Sequence, residues 1–92
     1  MAEQKKEIKI KISDDMLMGR YANYMRVSHT AEEFVLEFAN IMGPTGSVVA
    51  KVFTSPRHLK RIMKALQGSI KRYEDKHSTI KEAEEPKVNI GF

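Results

Sequence analysis

Basic side chains are concentrated between residues 57 and 76, and their chemistry suits contact with phosphates. Lysine and arginine neutralise the nucleic-acid backbone, and this neutralisation drives affinity. The same side chains also form the solvated face of ordinary amphipathic helices, which is the commoner case, and cations suit a helix's C-terminal half. Spacing alone does not separate the two interpretations, so both stay open. The segment holds Arg57, Lys60, Arg61, Lys64, Lys71, Arg72 and Lys76, of which Lys60, Arg61, Lys64, Lys71 and Arg72 are the candidate nucleic-acid contacts.

Aromatic side chains next to arginine form a second candidate site. Tyr21, Tyr24 and Arg26 fall within one strand-like segment. Aromatic rings on a sheet can stack with bases in proteins that bind single strands. Such residues more often fill the core and edge of a small sheet, so base stacking is the less common alternative.

Residue sets typical of catalysis or metal binding are not evident in the sequence. The chain has no cysteine, and His29, His58 and His77 lie too far apart along the chain to show a ligand spacing. The glycines at 43 and 46 are not followed by the Lys-Ser/Thr of a phosphate-binding loop. We therefore predict no catalytic residue, no metal and no cofactor, and we expect the protein not to be an enzyme.

Composition indicates one small domain. The chain has 92 residues, of which 41% are hydrophobic, and a net charge of +4. A domain of this size buries only roughly 60–65% of its unfolded surface, so small domains often gain stability by oligomerising. No apolar run approaches a membrane span, and no apolar stretch follows the first lysines as in a signal peptide. We expect a cytoplasmic homodimer without a membrane anchor.

Four segments are predicted to be strands. Residues 7–12 alternate isoleucine with lysine, which is typical of a half-buried strand. Residues 20–28 and 47–54 are rich in apolar and aromatic or β-branched residues. Residues 30–42 fit two patterns, because Thr30-x-x-Glu33 has the form of a helix capping box whereas Phe34, Leu36 and Phe38 alternate as in a strand. The strand is favoured, since its neighbours need a pairing partner and a Gly-Pro-Thr-Gly loop suits a hairpin.

A long helix is predicted from Ser55-Pro56 to about His77. Serine can cap the free amides, and proline suits the first helical position. One line of apolar residues at spacings of four and three, here called the apolar stripe, runs along this helix: Leu59, Met63, Leu66, Ile70 and Tyr73. We predict a domain over residues 1–78 and a charged, mobile tail over residues 79–92, in which Val88, Ile90 and Phe92 alternate and could dock as an added strand.

Two motifs carry a resemblance to a known family. They are Thr30-x-Glu32-Glu33-Phe34-Val35-Leu36-Glu37-Phe38 and Ser55-Pro56-x-His58-x-Lys60-Arg61, with Ala65-Leu66 and Tyr73-Glu74 after them. They resemble a family of small bacterial and archaeal proteins classed as a domain of unknown function. The resemblance implies one compact domain and supports a strand at residues 34–38, and it implies no activity.

The sequence predicts an α+β fold, with a four-stranded, mainly antiparallel meander followed by one long C-terminal amphipathic helix. The function that we expect is that of a homodimeric protein-interaction module without catalysis. The alternative is a nucleic-acid-binding accessory domain that uses the basic face of the helix.

Overall fold

The computed structural model describes residues 6–84 and 90–91. Its elements are α1 (Asp14–Met18), β1 (Tyr24–His29), β2 (Phe34–Met42), β3 (Thr45–Thr54) and α2 (Pro56–Lys76). The strands form one antiparallel sheet in the order β1-β2-β3. The chain divides into two compact units, Met1–Phe53 with α1 and the sheet, and Thr54–Phe92 with α2. The α+β class, the antiparallel sheet and the C-terminal helix are confirmed.

The middle strand β2 holds the buried residues of the sheet. Strands β1 and β2 pair with Arg26 opposite Glu37 and Val27 opposite Leu36, so alternate pairs lie on opposite faces. Within the described ranges, the buried residues are Leu36, Glu37 and Ala39, all in this strand. A central strand is paired on both sides, and this position explains why burial is concentrated there.

The strand interpretation of residues 30–42 is confirmed, and the capping-box motif has another role. The hydroxyl of Thr30 accepts hydrogen bonds from the backbone amides of Glu32 and Glu33. The backbone amide of Thr30 donates to the carbonyl of Glu33 at 2.9 Å. These bonds close the turn between β1 and β2. A threonine side chain that bonds to amides two or three residues ahead serves a turn as well as a helix start.

The turn between β2 and β3 is built from Gly43 and Pro44. Gly43 has a φ of 60°, a left-handed value that glycine adopts at low cost. A glycine with positive φ at the first central position is typical of the type II′ turn, whose twist matches the flanking strands. Proline then supplies the negative φ of the second position. The predicted hairpin is therefore confirmed at this place, but its loop is shorter than the predicted Gly-Pro-Thr-Gly, because Thr45 and Gly46 already belong to β3.

The predicted first strand is wrong for the single chain, so the sheet has three strands and not four. Residues 7–12 belong to no strand, and Ile8, Ile10 and Ile12 are 80%, 87% and 61% exposed. The helix α1 follows directly, with the side chain of Ser13 accepting from the amide of Met16. A period-two pattern forms a strand only when a partner strand takes up its backbone hydrogen bonds.

Strand β1 also begins later than the sequence predicts, at Tyr24 instead of residue 20. Gly19 ends α1 with a φ of 73°, and Asn23 then starts the pairing with β2. The amide of Asn23 donates to the carbonyl of Ala39, and its side chain exchanges two hydrogen bonds with the backbone of Ile41, at 2.8 and 2.9 Å. The side-chain amide of Asn23 thus makes the two hydrogen bonds that a backbone residue would make with Ile41 at this end of the β1–β2 pairing.

The helix α2 confirms its prediction closely. The hydroxyl of Ser55 accepts from the amide of His58 at 3.1 Å, and Pro56 occupies the first helical position. The helix has 21 residues and is therefore about 30 Å long. Beyond its end, the amide of Ile80 donates to the carboxylate of Glu74 at 2.8 Å. The predicted docking of residues 88–92 involves positions that lie mostly outside the described residues.

Candidate functional site

Four of the five residues of the apolar stripe of α2 are exposed, and the fifth, Leu59, is half-buried. Met63, Leu66, Ile70 and Tyr73 are 51%, 59%, 48% and 50% exposed, and α2 contains no buried residue. Successive helical residues are turned by about 100°, so the spacings of four and three place all four on one side. The ring of Tyr73 also lies 4.7 Å from that of His77, which lengthens the stripe. From Met63 to Tyr73, the helix therefore presents an exposed apolar surface.

The predicted basic contacts lie on the other sides of α2. Their exposure agrees with either interpretation of the sequence, the phosphate contact or the solvated face. Lys71 forms an ion pair with Asp75 at 3.0 Å. Within the described part of the chain, α2 contains no other ion pair. All five candidate residues, Lys60, Arg61, Lys64, Lys71 and Arg72, are exposed.

The start of α2 has an unusual distribution of charge. Its first turn contains no acidic residue, and Arg57, Lys60 and Arg61 lie in its first two turns. The amino end of a helix carries a partial positive charge, so acidic residues are preferred there and cations are disfavoured. Capping by Ser55 satisfies an amide and leaves this repulsion in place. The arrangement is one that a nearby anion would stabilise.

The second predicted set, Tyr21, Tyr24 and Arg26, is only partly brought together. Tyr24 and Arg26 share a face of β1, whereas Tyr21 precedes the strand and is exposed. The guanidinium of Arg26 donates from Nε and Nη2 to Oε1 of Glu37. This pairing turns the guanidinium toward β2. Stacking of bases on this set stays a prediction.

An ion cluster around Glu37, which the sequence analysis missed, is the most buried charged group described. The side chain of Glu37 is 11% exposed and forms ion pairs with Arg26 of β1 and Lys51 of β3. The Nζ atom of Lys51 lies 4.0 Å from Oε2 of Glu37. Lys51 also lies over the ring of Phe53, 5.6 Å from its centre. This carboxylate therefore links the middle strand to both neighbouring strands through ion pairs.

A signal for this cluster was present in the alternation of β2. If Leu36 and Phe38 lie on one face, Glu37 lies on the other face of a central strand. The cations that face it depend on the pairing of β1 and β3 with β2, which single-sequence patterns do not give. The alternation of β2 therefore predicts the position of the Glu37 carboxylate on the sheet, but it does not predict which cations pair with it.

An open groove lies between α1 and the sheet. It has a volume of about 580 Å³, and its apolar lining includes Met16, Ala22 and Phe38. Asp15 and Arg20, at the same groove, lie 3.7 Å apart as an exposed ion pair. The groove therefore combines an apolar floor with the Asp15–Arg20 pair and a further cation, Lys51.

The described residues show neither a metal-binding cluster nor a membrane-spanning helix. In residues 6–84 and 90–91, no group of three or more histidines, aspartates or glutamates converges to hold a metal ion. None of the helices there is both long and apolar enough to cross a bilayer. His29 instead stacks against Phe34, with ring centres 5.1 Å apart.

Comparison with known proteins gives a family. The model of a protein family of unknown function, DUF3467, matches residues 1–82. The chain belongs to this family. The match confirms the resemblance that the two sequence motifs indicate, and it includes the whole sheet and α2 of this DUF3467 protein. Searches of the curated proteins and of the solved structures find no match.

Proposed function

We propose that this DUF3467 protein is a homodimeric protein-interaction module that carries out no catalysis. The observation that carries the proposal is the exposed apolar stripe of α2. Full burial of a leucine, isoleucine or methionine side chain contributes about 1.5–3 kcal/mol. Met63, Leu66 and Ile70 are three such side chains in one line with Tyr73, and each is about half exposed, so a large stabilising contribution is unused in the single chain.

The small buried core supports the same conclusion. The hydrophobic residues buried within the described ranges are Leu36 and Ala39, both in the sheet. Small domains with so little buried apolar surface often gain stability by oligomerisation. Burial of the stripe by a second copy would supply the missing apolar contact.

A dimer of this kind leaves surfaces for another protein. Cations on the outer sides of α2, such as Arg61 and Lys64, would remain exposed in the dimer and would suit an acidic partner surface. Among the described residues, no further strand covers β1 or β3 at the edges of the sheet, where an extended segment of a partner can add as a strand. Binding of a partner, and not chemistry, is therefore the activity that we propose.

Sedimentation equilibrium over a roughly hundredfold range of concentration tests this proposal, because it measures the mass of the protein. The fraction of dimer rises with protein concentration. We expect the parent protein to sediment as a dimer, and Leu66→Glu to sediment as a monomer because it places a charge in the stripe. Ala65→Glu introduces the same residue one position away, off the stripe, and should remain a dimer. A parent that is monomeric throughout would refute the proposal.

Nucleic-acid binding is a second candidate, favoured by the cations in the first two turns of α2. A phosphate backbone would relieve their repulsion with the helix dipole. The test is fluorescence anisotropy with single- and double-stranded oligonucleotides at low and moderate salt. We expect binding that falls steeply with salt and is lost when Lys60→Glu is combined with Lys64→Glu.

A matched control is available for that test. Lys9→Glu combined with Lys11→Glu changes the net charge by the same amount and lies outside α2. Equal loss of binding in both double variants would indicate an effect of net charge alone. No binding at low salt, where electrostatic attraction is strongest, would eliminate this candidate.

A further inference from the structure

We infer that α2 pairs with α2 of a second copy in an antiparallel arrangement, with Leu66 of each chain against Ile70 of the other and Lys60 opposite Glu74. The inference rests on the proposed function, since it names the partner and the geometry of the same surface. It follows from the order of apolar and charged residues along the helix.

The apolar stripe is self-complementary when it is reversed. Spacings of four and three are those of a heptad repeat, with Leu59, Leu66 and Tyr73 in one class of core position and Met63 and Ile70 in the other. If a second copy of α2 lies antiparallel to the first, with its axis of symmetry near residue 68, each core position of one class faces one of the other class. Leu66 then lies against Ile70 of the partner, and Met63 lies against Tyr73. A twofold axis at this point makes each contact occur twice.

The charges that flank the stripe select this orientation. The flanking positions on one side are Lys60, Gln67 and Glu74, a cation, a neutral residue and an anion at intervals of seven. Antiparallel pairing about residue 68 places Lys60 of one copy opposite Glu74 of the other, twice per dimer. Parallel pairing brings Gln67 and Glu74 against Ile62 and Ser69 of the opposite flank and forms no ion pair. Opposed helix dipoles also favour the antiparallel arrangement.

The structure leaves both charged groups available for this contact. Lys60 forms no ion pair within the described part of the chain, and its side chain is exposed. Glu74 accepts the amide of Ile80 at Oε2, which holds the carboxylate in place and leaves Oε1 for a second donor. On the other flank, Ser69 meets its own counterpart and Ile62 meets Lys76, so no like charges are opposed there.

Charge reversal tests the register. Lys60→Glu or Glu74→Lys alone creates two like-charge contacts per dimer, so we expect each to weaken the dimer about tenfold in sedimentation equilibrium. The two reversals combined should restore the dissociation constant to within about threefold, because the ion pairs re-form with opposite sense. Arg61→Glu and Asp75→Lys make the same changes on the outer face of the helix and should leave the dimer unchanged.

Cysteine cross-linking tests the orientation independently, and the absence of native cysteines makes it clean. Ser69→Cys should cross-link to its counterpart with a short bismaleimide, and Met63→Cys should not. Met63→Cys combined with Tyr73→Cys should cross-link between chains. A dimer in which Met63→Cys alone cross-links, or in which the double charge reversal fails to restore affinity, overturns this inference and leaves the proposed function standing. A monomeric protein, with the stripe packed in its own chain, overturns both.

Discussion

Replacement of Arg26 by methionine should lower the free energy of unfolding by about 2 kcal/mol, because two hydrogen bonds to a charged group are lost. Removal of this guanidinium leaves the buried carboxylate of Glu37 with Lys51 alone, whose Nζ is 4.0 Å away. A buried carboxylate with only this distant cation is costly, because the surrounding sheet cannot replace the lost solvation. Methionine keeps most of the apolar stem of arginine, so the loss measures charge and hydrogen bonding more than packing. Urea unfolding at a constant protein concentration measures the change.

Two variants control for this interpretation. Arg26→Met combined with Glu37→Met removes both charges and should recover most of the loss, since apolar pairs often replace buried ion pairs at little cost. Lys71→Met breaks the exposed pair with Asp75 and should change the free energy by less than about 0.5 kcal/mol. If Arg26→Met is as mild as Lys71→Met, the cluster around Glu37 does not stabilise the sheet.

Leu36→Ala should destabilise the protein by about 3 kcal/mol, in the range found for leucine truncations in protein cores. Leu36 is 7% exposed, lies in the central strand and faces Val27 of β1. Truncation removes apolar contact that neighbours on both sides cannot replace without movement of the strands. The same urea measurement gives the change in the free energy of unfolding.

Met42→Ala is the matched control, because Met42 ends the same strand and is exposed. Its truncation should cost less than about 0.5 kcal/mol. Equal effects of the two variants would show that the centre of β2 is not the core of the sheet.

Local signals predicted the elements that depend on neighbours in sequence. Ser55 and Pro56 begin α2 because capping and the missing amide act within one turn, and the apolar spacing predicted its length. Gly43-Pro44 predicted the second hairpin for a similar reason, since a tight turn is decided by the φ values of two residues. The stripe that carries the proposed function is also a local pattern.

Elements that depend on distant partners were less predictable. Residues 7–12 have the cleanest strand pattern in the chain and form no strand in it, because alternation states a preference that only a neighbouring strand can satisfy. Thr30-x-x-Glu33 was ambiguous because the same hydroxyl can cap a helix or close a turn. Pairing of Phe34 with His29 decided in favour of the turn.

The sequence by itself determined the class of the fold, the basic amphipathic helix α2 and its apolar stripe, since each follows from residues within a few positions of one another. Tertiary structure alone decided that Arg26 and Lys51 both pair with Glu37 and that the sheet has three strands. The physical reason is that the register between strands depends on contacts between residues far apart in the chain. A one-residue shift would turn Glu37 to the opposite face, away from both cations.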